Sequence, residues 1–274
     1  MAGGGTEEGT NGGGRPGFLT LEDGVRLETA WWGPGPADAP PLILLHEGLG
    51  SITQWRGLPE TLARQTGFGG FAYARRGYGR STACALPRPI DYLHEEGRLV
   101  LPGVIAAAGI GAHVLVGHSD GASIATIHAG SAATPGLRGL VVMSPHYFVE
   151  DMCLVEIAKA DKAFREGDLR RRLSKHHDDV DAAFRGWNDV WLNPDFRALD
   201  LTDCLEGIAV PMLQIQGIED PYGTPAQTAM AERLVRSPLS TLLLPAPARH
   251  SPHIEAPEPT VPAIAGFAAA HLGG

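Results

Sequence analysis

The sequence has few cysteines, few lysines and no long hydrophobic run. Cys84, Cys153 and Cys204 are widely spaced and show no CxxC or Cys/His ligand spacing, which argues against a disulfide scaffold and against a metal site. Only three of the 22 basic residues are lysines, and the net charge of −9 argues against a nucleic-acid-binding surface. No apolar segment is long enough to span a membrane. We therefore expect no cofactor, no metal, no nucleic-acid partner, no membrane association and a cytoplasmic location.

The N-terminal segment MAGGGTEEGTNGGGRPG lacks the basic and apolar regions of a secretory signal peptide. Because this segment is rich in glycine, we expect residues 1–16 to form a disordered tail. The remaining composition, with 43% hydrophobic and 19% charged residues, is typical of an ordinary globular protein. A chain of 274 residues is long enough for one large α/β domain.

Short apolar segments alternate with helical segments through most of the chain. The pattern predicts an antiparallel hairpin around the Asp23-Gly24 turn. Further strands are predicted at residues 41–45, 70–74, 114–116, 140–143, 211–216 and 240–244. Helices are predicted at residues 52–64, 91–108 with a kink or helix junction at Pro102, 120–129, 224–236 and 257–271. Continuous apolar strands between helices indicate an α/β fold with a mostly parallel sheet covered on both faces.

The alternation is interrupted in the second half of the chain. Residues 147–208 are charged, helical and without a clear strand, which predicts a helical cap inserted after the sixth strand. The expected organisation is therefore a core domain in two parts, residues 17–146 and residues 209–274, with the cap between them.

The segment GHSDG, residues 117–121, lies between an apolar strand and a helix. A sharp turn at this place holds a serine in a strained backbone conformation above the sheet, and the flanking glycines remove side chains that would clash. Ser119 is therefore the candidate nucleophile. The N–H of Asp120, at the start of the helix, is a candidate donor to an oxyanion.

A serine nucleophile needs a base, and the base needs an acid that orients it. Asp220 and His250 follow the last two predicted strands on loops, where parallel sheets place their chemistry. The order Ser119, Asp220, His250 fits a catalytic triad. Glu219 is the alternative acid and His253 the alternative base.

The loop after the first parallel strand has the sequence HEGLGS. Its glycines keep the backbone accessible, so we predict that the Gly48 N–H is the second oxyanion donor, with Glu47 and Leu49 as neighbouring alternatives. A carboxylate beside an oxyanion is electrostatically unfavourable. Glu47 must therefore point away, pair with Arg75 or Arg76, or bind a polar part of the substrate.

The predicted cap and its junction with the core supply further pocket candidates. Trp187 and Trp191 are four residues apart and share a helix face, which suits either an aromatic wall or packing of the cap. The adjacent residues His176 to Asp179 point in different directions on a helix and do not predict a metal site. The candidate substrate-pocket residues are Glu47, Leu49, His146, Tyr147, Trp187 and Trp191.

From about Phe18 to the end, the sequence resembles the α/β-hydrolase superfamily. The matching segments are LLHEGLGS, YARRGYGRS, GHSDG, QGIEDPYG and ARHSPHIEAP. The resemblance implies a Ser119–His250–Asp220 triad and a helical cap. The sequence departs from the family pattern at Glu47, where a glycine commonly follows the histidine, and at Ala74, where many relatives have aspartate.

The resemblance and the nucleophile together indicate a reaction class. A serine argues against haloalkane dehalogenase and epoxide hydrolase activity, because those members use aspartate. We expect a serine hydrolase that acts, through an acyl-enzyme, on a small carboxylic ester, thioester or lactone, or on an activated C–C bond. A ligand receptor without turnover and a cofactor-independent lyase or perhydrolase are the alternatives. The only partner expected is a small-molecule substrate, and no oligomeric state is predicted.

Overall fold

The computed structural model describes residues 13–131 and 133–273, and these residues form one eight-stranded sheet. The strand order is β1-β2-β4-β3-β5-β6-β7-β8, with antiparallel pairing at β1–β2 and β2–β4 and parallel pairing elsewhere. The strands are β1 (Arg15–Thr20), β2 (Arg26–Trp32), β3 (Pro41–Leu45), β4 (Gly69–Tyr73), β5 (His113–His118), β6 (Leu137–Met143), β7 (Met212–Gly217) and β8 (Leu239–Leu244).

Helices cover both faces of the sheet. They are α1 (Leu58–Thr66), α2 (Tyr92–Glu95), α3 (Leu101–Ala107), α4 (Asp120–Ala129), α5 (Asp151–Glu166), α6 (Leu169–Leu173), α7 (Val180–Trp191), α8 (Thr202–Glu206), α9 (Ala226–Leu234), α10 (Pro252–Glu255) and α11 (Pro257–Leu272). None of the helices within the described ranges is both long and apolar enough to cross a membrane.

The unbroken apolar sequence of β3 follows from burial on both faces of the sheet. Ile43 and Leu45 belong to the larger hydrophobic cluster, whereas Leu42 and Leu44 belong to the second cluster on the opposite face. Successive side chains of a strand point to opposite faces, so a strand covered on both sides needs apolar residues throughout. The predicted fold class, with a mostly parallel sheet, flanking helices and a helical insertion after the sixth strand, is confirmed.

The insertion comprises residues 144–211 between β6 and β7, and we call it the insert. It contains α5 to α8 and a 3₁₀ turn at Pro194–Ala198. An antiparallel bridge joins Phe148 to Asp200, and the Leu201 N–H donates to the Tyr147 carbonyl oxygen at 2.9 Å. The two ends of the insert therefore meet beside the sheet.

Two local predictions were wrong. Arg15 and Pro16 were assigned to the disordered tail, yet they lie in β1 opposite Trp31 and Ala30, because the edge of β2 offers them backbone pairing. Residues 1–12 of the predicted tail lie outside the described residues.

The other error concerns the first predicted helix. The helix predicted at 52–64 is a 3₁₀ turn (Ile52–Trp55) followed by α1, since Arg56 between them has a φ of 52° and breaks helical geometry. The segment predicted to be helical at 91–108 is helical from Tyr92 to Ala107, with a π-helical turn (Glu96–Val100) between α2 and α3. This irregularity lies just N-terminal to Pro102, in agreement with the predicted kink or junction, because proline lacks the N–H that would bond to the preceding turn.

Candidate active site

Ser119 lies at the sharp turn between β5 and α4. Its backbone has φ of 52° and ψ of −118°, a conformation that is strained for a residue with a side chain. The turn is tightly packed, since a Cβ atom on Gly121 would lie 1.9 Å from the Leu45 carbonyl oxygen. A Cβ on Gly117 would lie 2.4 Å from the Gly121 carbonyl oxygen. Both glycines are therefore required for the turn that presents Ser119.

Three loops at the carboxyl ends of parallel strands bring Ser119, His250 and Asp220 together. The His250 Nε2 atom is 3.0 Å from the Ser119 Oγ atom. The His250 Nδ1 atom is 2.8 Å from Asp220 Oδ2 and 3.0 Å from Asp220 Oδ1. These are hydrogen-bond distances, so a proton can pass from the serine hydroxyl to the imidazole.

The environment of Asp220 favours its ionised form. Burial alone would raise its pKa, but the hydrogen bond and charge of His250 outweigh burial and lower the pKa to about 2. The Tyr222 N–H also donates to Asp220 Oδ1 at 2.8 Å. An ionised Asp220 accepts from Nδ1–H of His250, which leaves the lone pair of Nε2 directed toward Ser119.

The two rival residues lie elsewhere. Glu219 is exposed, whereas its neighbour Asp220 is only 3% exposed. His253 lies in the short helix α10, where its ring packs against the rings of Trp55 and His118. His118 in turn lies with Nε2 at 2.7 Å from the carbonyl oxygen of His250. The structure therefore groups the predicted acid and base with Ser119, and places His253 behind the His250 loop.

Two backbone N–H groups are placed to bind an oxyanion. Gly48 and Asp120 border the same cavity as Ser119. The Gly48 N–H has no hydrogen-bond partner within the described part of the chain. Asp120 is the first residue of α4, where N–H groups have no partner within the helix. Both predicted donors thus border the same cavity as Ser119, and their N–H groups have no partner among the described residues.

The carboxylate of Glu47 pairs with neither of the two arginines considered from the sequence. Its Oε2 atom accepts the Leu49 N–H at 2.5 Å, which closes the loop on itself. The Arg75 guanidinium instead donates to the carbonyl oxygen of Glu47 at 3.1 Å, and Arg76 lies near Asp23 at the surface. Burial raises the pKa of Glu47, which favours the neutral acid beside the oxyanion position.

A small cavity of about 90 Å³ lies over Ser119, between the core and the insert. It is far below the roughly 300–1,000 Å³ typical of pockets for drug-sized ligands. Five of the six predicted pocket residues border it: Glu47, Leu49, His146, Trp187 and Trp191.

Tyr147 was predicted to line the pocket, and this prediction was wrong. Its side chain is fully buried in the larger hydrophobic cluster and is absent from the cavity lining. The reason is that successive residues after β6 point in different directions, so only His146 faces the site. Cys153, Ile157 and Tyr222 also border the cavity and were not predicted from the sequence. Tyr222 could have been predicted, because it is only two residues from Asp220. Its ring centroid is 4.6 Å from that of His250.

Comparison with known proteins gives the family. A model of the alpha/beta hydrolase family matches residues 42–263. The chain belongs to the alpha/beta hydrolase family. Searching curated protein sequences returned no significant match to this hydrolase.

Solved structures share the fold of this hydrolase at low sequence identity. A proline iminopeptidase from Mycobacterium smegmatis is 20% identical with a TM-score of 0.68, over 94% of this chain and 98% of that one. An enol-lactonase from Burkholderia xenovorans is 20% identical with a TM-score of 0.70, over 92% and 99% of the two chains. An esterase from a Rhodococcus species is 20% identical with a TM-score of 0.67, over 93% and 99%. At this identity the likeness concerns the fold.

A second buried carboxylate belongs to Asp120, the residue that follows Ser119 in this hydrolase. The side chain of Asp120 accepts from the Tyr92 hydroxyl and, at 3.2 Å, from Nε1 of Trp191. The Arg75 guanidinium is 3.7 Å away. Burial raises the pKa of Asp120 more than Arg75 and the two hydrogen bonds lower it. Asp120 is thus held by a residue of α2 (Tyr92), a residue of the core (Arg75) and a residue of the insert (Trp191).

His176 and His177 of the insert make contacts with the core. His177 Nδ1 accepts the Gly79 N–H at 3.0 Å, and its Nε2 is 3.0 Å from the Leu49 carbonyl oxygen. His176 Nδ1 is 2.7 Å from Thr53 Oγ1. In the residues that the structure describes, no cluster of three or more His, Cys, Asp or Glu side chains is arranged to hold a metal ion.

Proposed function

We propose that this protein is a serine hydrolase that cleaves a small carboxylic ester, thioester or lactone through an acyl-enzyme intermediate. The observation that carries the proposal is the chain of contacts from Ser119 Oγ to His250 Nε2 at 3.0 Å and from His250 Nδ1 to Asp220 at 2.8 Å. A serine becomes a useful nucleophile only when such a base is within hydrogen-bond distance.

In the acylation step, His250 Nε2 takes the proton of Ser119 as the serine oxygen attacks the carbonyl carbon. The N–H groups of Gly48 and Asp120 donate to the oxyanion that forms. Protonated His250 then gives its proton to the departing alcohol, thiol or ring oxygen, and the acyl group stays on Ser119. Asp220 remains a carboxylate throughout, because its pKa is about 2, and it stabilises the imidazolium.

In the deacylation step, a water molecule takes the place of the leaving group. His250 removes a proton from this water, which attacks the acyl carbon, and the same two N–H groups stabilise the second oxyanion. Collapse of this intermediate releases the acid and returns the proton to Ser119. The Glu47 carboxyl is occupied by its hydrogen bond from the Leu49 N–H at 2.5 Å and takes no part in either step.

The insert acts in this proposal as a cap that selects small substrates. Side chains from α5 and α7 close the cavity over Ser119, namely Cys153, Ile157, Trp187 and Trp191. A cavity of about 90 Å³ suits an acyl group of only a few heavy atoms. This favours short acyl esters and small lactones over long-chain lipids.

The test uses a panel of esters, thioesters and lactones together with an active-serine probe. Wild-type protein is expected to hydrolyse short p-nitrophenyl esters and to be labelled by a fluorophosphonate. Ser119→Ala should lose labelling and nearly all turnover, because a triad acts as a unit; the residual enhancement over water is about 10³–10⁴.

Ser251→Ala is the matched control, since Ser251 adjoins His250 in sequence but does not border the cavity over Ser119. This variant should be labelled and active like wild type. Equal turnover by Ser119→Ala and wild type, or a wild type that is neither labelled nor active on any member of the panel, would contradict the proposal.

A further inference from the structure

The cavity over Ser119 has walls of two kinds. Leu49, Ile157 and Cys153 make one part apolar. The side chains of His146 and Trp187 add polar atoms, and neither belongs to the proposed triad or the oxyanion donors. The contacts of these two side chains indicate which acyl groups the cavity fits.

His146 is 2% exposed, and its ring borders the cavity. Its Nδ1 atom is buried without a hydrogen-bond partner, and Nε2 has no partner among residues 13–131 and 133–273 either. Burial, followed by the nearby His250, lowers the pKa of His146 to about 3, so the ring is neutral. A neutral imidazole has one N–H donor and one acceptor nitrogen, and here neither is used by the protein.

Trp187 presents a second unused donor on the oxyanion side of the site. Its Nε1 atom lies against the backbone of Gly48, since a Cβ on Gly48 would be 2.2 Å from it. The indole N–H of Trp187 makes no hydrogen bond to any described residue and, unlike Nδ1 of His146, is not fully buried, so it is open to a molecule in the cavity. Trp191, one turn further along α7, differs in that its N–H donates to both Asp120 and the Tyr92 hydroxyl.

Buried polar groups without partners are unfavourable unless a ligand pairs with them. The ring of His146 lies near the catalytic base, with 5.8 Å between the centroids of His146 and His250, and Trp187 lies beside Gly48. Both side chains line the cavity beside Ser119 that would receive the acyl group, His146 on the side of the catalytic base and Trp187 on the side of the Gly48 N–H. A hydroxyl group there could accept from one N–H and donate to the free imidazole nitrogen.

We propose that the preferred substrates carry a short 2-hydroxyacyl group, whose hydroxyl is bound by His146 and Trp187. This inference rests on the proposed hydrolase function. A site built to pair with a substrate hydroxyl rejects an isostere without it far more strongly than an apolar pocket distinguishes two alkyl groups. His146 and Trp187 thereby act as specificity-determining residues.

The experiment compares two esters of nearly the same shape, methyl lactate and methyl isobutyrate, in which a hydroxyl replaces a methyl group. Each lactate enantiomer is tested separately. For wild type we expect kcat/KM to be at least about 100-fold higher for one lactate enantiomer than for isobutyrate. His146→Leu should bring this ratio close to one, chiefly by lowering lactate turnover, and His146→Gln should restore part of it.

Trp187→Phe supplies an independent variant, which removes the N–H and keeps an aromatic ring; it should lower the ratio about tenfold or more. His113→Leu is the matched control. His113 is also a buried histidine with an unpartnered ring nitrogen, but it lies at the opposite end of β5 from Ser119. Its replacement should leave the ratio unchanged.

The two proposals fail in different ways. If wild type turns over both esters equally, with all turnover dependent on Ser119, the 2-hydroxyacyl inference is wrong and the hydrolase function stands. If folded His146→Leu and Trp187→Phe both keep the wild-type ratio, the inference is also wrong. If Ser119→Ala hydrolyses the esters as well as wild type does, the proposed function itself is wrong.

Discussion

The two sides of the cavity are built in different ways. On the core side, Ser119, Asp220 and His250 lie at the ends of parallel strands, where the backbone sets their positions. On the insert side, residues of α5 and α7 reach the cavity only because two helices pack over the sheet. In the proposed function, the core side supplies the groups for acyl transfer in general, whereas the insert side would contact the part of a substrate that varies.

The two sides are nevertheless joined by polar contacts. Trp191 of the insert donates to Asp120, the residue after the nucleophile. His177 of the insert contacts Gly79 and the Leu49 carbonyl oxygen in the core. Changes confined to the core should therefore affect all substrates alike, and changes at the junction should affect stability as well.

The largest effect is expected for Asp220→Asn, which removes a charge from the core side and leaves the insert unchanged. An amide cannot hold His250 in the required tautomer, so kcat should fall about 10⁴-fold for every ester, with little change in KM. Steady-state kinetics on two unrelated esters measures this. Glu219→Gln, at the exposed neighbouring position, should remain fully active. A comparable loss in Glu219→Gln would mean that the acid has been assigned to the wrong residue.

The next largest effect is expected at the junction between insert and core, where Trp191 donates to Asp120. Trp191→Phe removes a donor from buried Asp120, and we expect a loss of about 1–3 kcal/mol in the free energy of unfolding. Urea denaturation measures it. Trp187→Phe is a matched control for stability, because the indole N–H of Trp187 has no partner in the described residues. Equal destabilisation by both variants would show that lost packing, rather than the bond to Asp120, is responsible.

A third prediction concerns how the stability of the contact between insert and core at His177 depends on pH. Burial lowers the pKa of His177 to about 4, so His177 is neutral in the folded protein, while in the unfolded chain it gains a proton below about pH 6.5. Stability should therefore decrease as pH falls from 6.5 to 4, with His177 contributing up to about 1.4 kcal/mol per pH unit.

The test of this prediction is urea denaturation of wild type and His177→Gln at pH 7, 6 and 5. The variant is expected to be less stable at pH 7, and the difference in unfolding free energy should narrow toward pH 5. Parallel curves for the two proteins would exclude His177 as a source of the pH dependence.

The smallest effect is expected for Glu47→Gln. The glutamine oxygen can still accept the Leu49 N–H, so the loop should keep its conformation. We expect kcat/KM to change by less than about tenfold, and equally for methyl lactate and methyl isobutyrate. A loss confined to the lactate ester would instead assign Glu47 to substrate recognition, the role proposed for residues of the insert side.

The core side was largely predictable from the sequence. The apolar strands, the GHSDG turn and the two later loops specify Ser119, Asp220 and His250 through local patterns, because a parallel sheet brings its strand ends to one edge. The fold class and the position of the insert followed from the same alternation. The break at Arg56 was not predictable, since a positive φ at a non-glycine residue leaves no mark in the sequence.

The insert side and the junction were only partly predictable. Helical spacing placed Trp187 and Trp191 on one face, yet it could not show that one indole N–H is bonded and the other is not. The contact of Tyr92 with Asp120 joins residues 28 positions apart, and that of Trp191 with Asp120 joins residues 71 apart. Such pairs depend on how helices pack, which the periodicity of each helix alone does not determine.

The bridge between Phe148 and Asp200 has a consequence for how such a protein can diversify. Because the insert leaves and re-enters the core at neighbouring points, another segment of different length could be spliced between them without stretching the sheet. A chimaera that carries a foreign segment at this junction should keep the reactive serine while acquiring a new substrate range. Exchange of this one segment would then be enough to change substrate selectivity while the residues that carry out the reaction stay the same.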